Sequence, residues 1–132
     1  QLRAVNNDTR VAGPQVQLNA KRSTATREDD HWVKTETTHP VVRVHPETGR
    51  RGLFVNIAYT RRFEGMTEAE SAPLLDYLFA HAVRPEFTCR FAWKPGSVAF
   101  WDNRCVKHLA VNDIVGHARV MKRGQITGDK PV

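Results

Sequence analysis

Three side chains late in this sequence have the types and spacing to do chemistry: His108, Arg119 and Arg123. Imidazole is a common ligand for iron, copper and zinc. A guanidinium presents a fork of donors that fits a carboxylate bidentately. The runs around them read as strands. Val98-Ala-Phe-Trp101 is a short buried strand by composition, and Asp102-Asn103 is a turn signal. Val106 to Val111 is a second extended run and carries His108; Ala118 to Ile126 is a third and carries both arginines. Residues two apart on a strand share a face, so Arg119, Met121 and Arg123 point the same way. Two guanidinium groups beside a histidine make a plausible anion-and-metal site. The plainer reading is that a lone strand histidine is hydrogen-bonded structure, and that arginines in a basic chain are solvated.

A second grouping competes. His45-Pro46-Glu47 has the His-x-carboxylate half of a two-histidine, one-carboxylate iron site, and His108 would be its third ligand. We reject it, because Pro-Glu-Thr-Gly is turn chemistry and sets Glu47 at a hairpin tip in solvent. Cys89 and Cys105 lack metal-site spacing and read as reduced thiols.

The elements that must hold these residues can be taken in order. Gln1 to Val5 reads as a strand. Residues 6–38 are polar, weakly periodic and too long for an ordinary connection, so they read as a lid or a flexible loop. Pro40 to Val44 and Gly52 to Tyr59 form a hairpin across the Glu47-Thr-Gly turn. Thr67-Glu-Ala-Glu70 has the form of a capping box. Pro73 is tolerable in a first helical turn, which places the main helix from about Ser71 to Val83. Leu74, Leu75, Leu78, Phe79 and Ala82 form its apolar stripe. Phe87, Cys89, Phe91 and Trp93 alternate with less apolar residues up to Lys94 and predict a half-buried strand. Pro95-Gly96 turns the chain toward the site. Strands, one helix, then more strands suit an antiparallel jelly roll, with a pocket between two sheets.

Composition narrows the class. With 132 residues, one domain is expected, and 40% hydrophobic content is ordinary. The sequence has no run of 18 apolar residues and no signal-peptide pattern, so a soluble cytoplasmic protein without a membrane role is expected. The net charge of +6 comes from scattered basic residues without interleaved stacking aromatics, which argues for anionic small ligands over nucleic acid.

Several motifs in one order resemble a known family. Trp101-Asp102-Asn103-Arg104, His108, Arg119 and Arg123 look like the C-terminal signature of the TauD/TfdA dioxygenases. The likeness extends through His39-Pro-Val-Val-Arg-Val-His-Pro-Glu-Thr-Gly, Leu53-Phe-Val-Asn, Leu78-Phe-Ala-His, Arg84-Pro-Glu-Phe and Leu2-Arg-Ala-Val. The resemblance implies a mainly β fold, the C-terminal portion of a double-stranded β-helix or jelly roll, with one amphipathic helix. It implies an iron(II)- and 2-oxoglutarate-dependent dioxygenase that consumes O2, hydroxylates a small anionic organic substrate, and releases succinate and CO2. His108 then matches the distal iron ligand, and Arg119 the partner of the far carboxylate of 2-oxoglutarate. Arg123 matches the arginine that meets the anionic head of the substrate, and Tyr59 an aromatic near it. Trp101 packs close to the iron. The family carries a similar His-Pro turn that binds no iron.

One absence sets the limit. The family completes its iron site with a His-x-Asp pair from an earlier strand, and these 132 residues contain none. The sequence therefore resembles the C-terminal half of such an enzyme, a single partial domain over 1–132, and alone should not hold iron tightly. The alternative is a catalytically inactive half-jelly-roll remnant that acts through self-association or a partner. Exposed strand edges in half a roll predict a homo-oligomer. Lys122, and Cys105-Val106-Lys107 ahead of His108, depart from the family pattern, so sulfonates, alkyl sulfates and aryloxyalkanoates all remain open as substrates.

Overall fold

Residues 1–9, 36–109, 111, 116 and 120–128 are described in the computed structural model. Its strands are β1 (Arg3–Asn6), β2 (Thr37–Pro40), β3 (Val42–Val44), β4 (Arg51–Leu53) and β5 (Thr60–Phe63). One α-helix, α1 (Glu68–Ala82), lies wholly within the described residues. The fold is mainly β with this helix, as expected.

The first sheet has the order β2-β1-β5, antiparallel throughout, so β1 is bonded on both edges. Its register sets Ala4 opposite His39 on one side and Phe63 on the other. The ladder to β5 slips between Val5 and Asn6. Thr60 fills the irregularity: its hydroxyl donates to Asn6 Oδ1 at 2.7 Å and accepts from the Asn56 amide at 2.9 Å. A fully buried hydroxyl must be satisfied in this way or cost stability.

The second sheet is the expected hairpin. Strand β3 pairs β4 with Arg43 opposite Gly52. The turn closes through His45 N–H to Arg50 O at 2.8 Å and Gly49 N–H to His45 O at 2.9 Å. Gly49 sits at φ +67°, left-handed backbone that favours glycine. The sequence placed the second strand at Gly52–Tyr59; the ladder in fact spans Arg51–Leu53, and the chain turns at residues 57–59 before β5.

Ala4, Val41, Val55, Phe63 and Leu75 form the core, with Leu53, Leu78 and Phe79 packed on it. Burying a side chain of Phe63's size contributes roughly 1.5–3 kcal/mol. Ser71 fastens the helix to the sheet: its buried hydroxyl accepts from the Phe63 amide at 2.9 Å and donates to Thr67 O at 2.8 Å. The capping box is present, with Glu70 N–H on Thr67 Oγ1 and Thr67 N–H on Glu70 Oε2. Helix α1 therefore starts at Glu68, one residue after its cap, and not near Ser71. Pro73 lies inside it. The cap and the Ser71 tether outweigh the one in-helix bond that proline removes. Of the expected stripe, Leu75 is buried, while Leu74 is 43% exposed.

The late strands are the main correction. Pro85–Phe87 forms one 3-10 turn, and the described residues from Thr88 onward make no strand. The strands expected at Phe87–Lys94, Val98–Trp101, Val106–Val111 and Ala118–Ile126 thus have no ladder among the described residues. An alternating sequence is suited to a strand, but a strand exists only beside another. A closed two-sheet roll is accordingly absent from the described residues. Most of segment 6–38 (residues 10–35) lies outside the description, and Thr37 and Thr38 belong to β2. No helix among the described residues is long and apolar enough to cross a membrane.

Candidate active site

The site segment begins after a turn in which Ser97 N–H meets Lys94 O at 2.9 Å, with Gly96 at φ +81°. It then runs to Trp101 without helix or strand. The Asp102-Asn103 signal is a real turn, because the Cys105 and Val106 amides both donate to Asp102 O, at 3.2 and 2.9 Å. Trp101 donates its indole N–H to Asn103 Oδ1 at 2.9 Å. Its ring packs on His108 with centroids 4.9 Å apart. The structure thus places Trp101 in contact with His108, the residue expected to hold iron. His108 is exposed, and neither of its ring nitrogens has a hydrogen-bond partner among the described residues.

The other expected site residues are not brought to it. Arg119 lies outside the described residues. Arg123 is exposed, on a stretch with neither helix nor strand. Tyr59 is 42% exposed at the turn before β5, where its carbonyl accepts from the Asn7 amide at 3.0 Å.

What the sequence did not reveal is a polar circuit between the hairpin turn and this segment. His45 Nδ1 faces the Glu47 and Thr48 amides, each at 3.3 Å. It accepts there, so the ring proton sits on Nε2 and is donated to Asp102 Oδ2 at 3.1 Å, across 57 residues of sequence. Asp102 also accepts from the Arg104 backbone amide at 2.8 Å and from its guanidinium at 2.6–2.9 Å. The same guanidinium reaches Glu47 at 2.9 Å and closes the ring. These Arg104 bonds first, and His45 after them, hold the Asp102 carboxyl well below its ordinary 3.8.

Glu47 does sit at an exposed hairpin tip, but it is paired with Arg104 rather than free in solvent. His45 spends one nitrogen on its own turn and the other on Asp102, which leaves none for a metal. His45, Asp102 and Cys105 are the grouping of three ligand-type side chains found among the described residues, with ligand atoms within 4.8 Å of one another. Asp102 is engaged by Arg104 and His45 Nδ1 by the turn, so these side chains serve the polar circuit rather than a metal centre. No sequence spacing announces a pairing over 57 residues; the turn chemistry at each end was the available clue.

Known proteins agree with the motifs. The family model for the taurine catabolism dioxygenase TauD, TfdA family, matches residues 1–125. An alkylsulfatase of Acinetobacter baylyi is 36% identical over 98% of this chain and 41% of its own length. An alpha-ketoglutarate-dependent sulfate ester dioxygenase of Pseudomonas putida is 42% identical over 74% of the chain and 32% of its own. The crystal structure of a taurine dioxygenase from Burkholderia xenovorans superposes with a TM-score of 0.52, at 39% identity, over 78% of this chain and 38% of that one. The chain thus spans well under half the length of these relatives. It belongs to the TauD/TfdA family of 2-oxoglutarate-dependent dioxygenases, whose members use iron(II).

Proposed function

We propose that residues 1–132 supply the C-terminal half of an iron(II)- and 2-oxoglutarate-dependent dioxygenase that hydroxylates a small anionic substrate. Alkyl sulfates and sulfonates come first, because the sulfate ester dioxygenase is among the relatives of highest identity. Aryloxyalkanoates come second, since a phenoxypropionate dioxygenase of Sphingobium herbicidovorans is 37% identical over 68% of the chain. The observation that carries the reading is His108. Its imidazole is accessible, braced by Trp101 and without a hydrogen-bond partner among the described residues, which suits one ligand position. The described residues offer no second and third ligand beside it. The His-x-Asp pair must therefore come from other polypeptide, in the same protein or in a partner.

When bound, iron(II) supplies the redox chemistry that couples conversion of 2-oxoglutarate to succinate and CO2 with hydroxylation of the substrate. This chain's residues bind and orient. His108 donates an imidazole nitrogen. Trp101 limits the swing of that ring. Arg119 takes the far carboxylate of 2-oxoglutarate as a bidentate pair. Arg123 takes the anionic head of the substrate, and Tyr59 lies along its apolar part.

The test is succinate formation by the full-length polypeptide carrying these residues, with iron(II), 2-oxoglutarate and a panel of alkyl sulfates, sulfonates and aryloxyalkanoates. Turnover with one of these classes, abolished by His108→Ala, is expected. No turnover with any, in protein that also contains a His-x-Asp pair, would overturn the proposal.

A further inference from the structure

We propose that the hairpin turn of β3 and β4 is a positioning device for His108, acting through the circuit Glu47–Arg104–Asp102–His45 and the Trp101 indole. It rests on the reading of His108 as a metal ligand, yet the circuit itself stands on geometry alone.

The argument starts at the turn. Glycine at residue 49 lets the chain reverse tightly enough for the Glu47 and Thr48 amides to point at His45 Nδ1. These contacts fix the plane and the tautomer of the imidazole. The Nε2–H direction is thereby set by the hairpin backbone, and it ends on Asp102 Oδ2. Asp102 is where the site segment bends: its carbonyl accepts the Cys105 and Val106 amides, and its carboxylate accepts Arg104 twice over. Trp101 and the turn to Val106 thus leave Asp102 in directions that its carboxylate anchors. The Trp101 ring then lies against His108.

The chain of contact is continuous: turn amides, His45, Asp102, Trp101, His108. Glu47 makes it a ring, because Arg104 grips both Asp102 and the hairpin tip. Removing one link leaves the others to hold the turn loosely. The ring suits a positioning task better than a stabilising one. Its members are partly exposed, and exposed ion pairs contribute little free energy. A bidentate guanidinium and an imidazole of fixed orientation nevertheless give direction. The expected effect is therefore on geometry at His108 and not on global stability.

The experiment uses the full-length polypeptide, without metal for one measurement and with Mn(II) as probe for the other. Ring and indole N–H resonances of His108 and Trp101 are recorded for His45→Ala, Asp102→Asn and the double variant, with exchange of the Cys105 and Val106 amides. Mn(II) affinity is measured on the same proteins. His45→Ala should move both resonances and speed exchange of both amides by about tenfold. It should weaken Mn(II) by about three- to tenfold, less than the roughly 10–100-fold seen when a direct neighbour of a ligand is lost. The double variant should be no worse than the poorer single, since both cut one link. Glu47→Gln opens the circuit at its most exposed member and should give a smaller shift in the same direction, a second reading if His45→Ala folds poorly. Phe63→Leu loosens the core and should lower Tm without moving the His108 resonances.

Unmoved resonances in both His45→Ala and Glu47→Gln would overturn the proposal, as would additive effects in the double variant. So would Mn(II) affinity that responds to His108→Ala but not to His45→Ala. If the resonances move while Mn(II) ignores both His45→Ala and His108→Ala, the positioning stands and the metal reading of His108 falls.

Discussion

At the scale of single residues, the two arginines offer the sharpest discrimination between a binding site and a charged surface. Arg119→Lys keeps the charge but loses the second parallel bond and the fixed angle. We expect it to weaken 2-oxoglutarate by on the order of tenfold, about 1.4 kcal/mol, since a hydrogen bond to a charged group contributes roughly 1.5–3. Arg123→Lys should instead raise KM for the hydroxylated substrate. Both constants measured for both variants at moderate salt decide it; an unchanged 2-oxoglutarate affinity in Arg119→Lys would remove that residue from the site. His45→Ala and Glu47→Ala should weaken metal binding without abolishing it, in contrast to His108→Ala, and equal losses at all three would reinstate the rejected iron triad. His45 shows what the sequence could convey and what it could not. Pro46-Glu-Thr-Gly49 marked a turn, and a turn formed. That the ring would be half-buried on Asp102 depends on a contact across 57 residues, which no local pattern encodes.

At the scale of elements, helix α1 tests whether local signals or proline placement decide a boundary. Thr-x-x-Glu is a mutual pair of backbone bonds and marks its position to the residue; Pro73 only lowers the local preference. The helix began where the cap stood. Thr67→Ala should therefore cost about 1 kcal/mol, and Tm in thermal unfolding should fall by about 3–5 °C. Glu70 adds a pH signature. Its bonds to the Thr67 amide and hydroxyl hold its carboxyl below the ordinary 4.5. A carboxyl whose pKa is depressed on folding stabilises above its unfolded value, and that contribution fades as pH falls through the lower, folded value. Glu70→Gln should flatten the fall of Tm below about pH 4.5, relative to the parent protein. A parallel fall in both proteins would show the box to be ornamental. The expected strands after Thr88 illustrate the opposite case. Phe87 to Trp93 alternates well, but alternation encodes suitability for a sheet and says nothing of whether a neighbour is there.

At the scale of the whole molecule, the described chain is two-sided in character. Residues up to Ala82 build the packed sheets and helix, while Val98, Phe100 and Leu109 are 87–88% exposed. Exposed apolar side chains in such number are characteristic of a surface meant to be covered. Residues 1–132 expressed alone should therefore self-associate or bind a partner, and sedimentation that shows a monodisperse monomer at micromolar concentration would contradict this. The order of strands carries a further consequence, in time rather than space. The central strand β1 comes first in the sequence, and both of its neighbours come later. During synthesis β1 leaves the ribosome with neither edge paired, and the sheet cannot close until Phe63 has emerged. A fragment of residues 1–132 that ends before Phe63 keeps β1 but lacks the β5 edge and the buried ring, whereas one ending after Ala82 retains the whole described core.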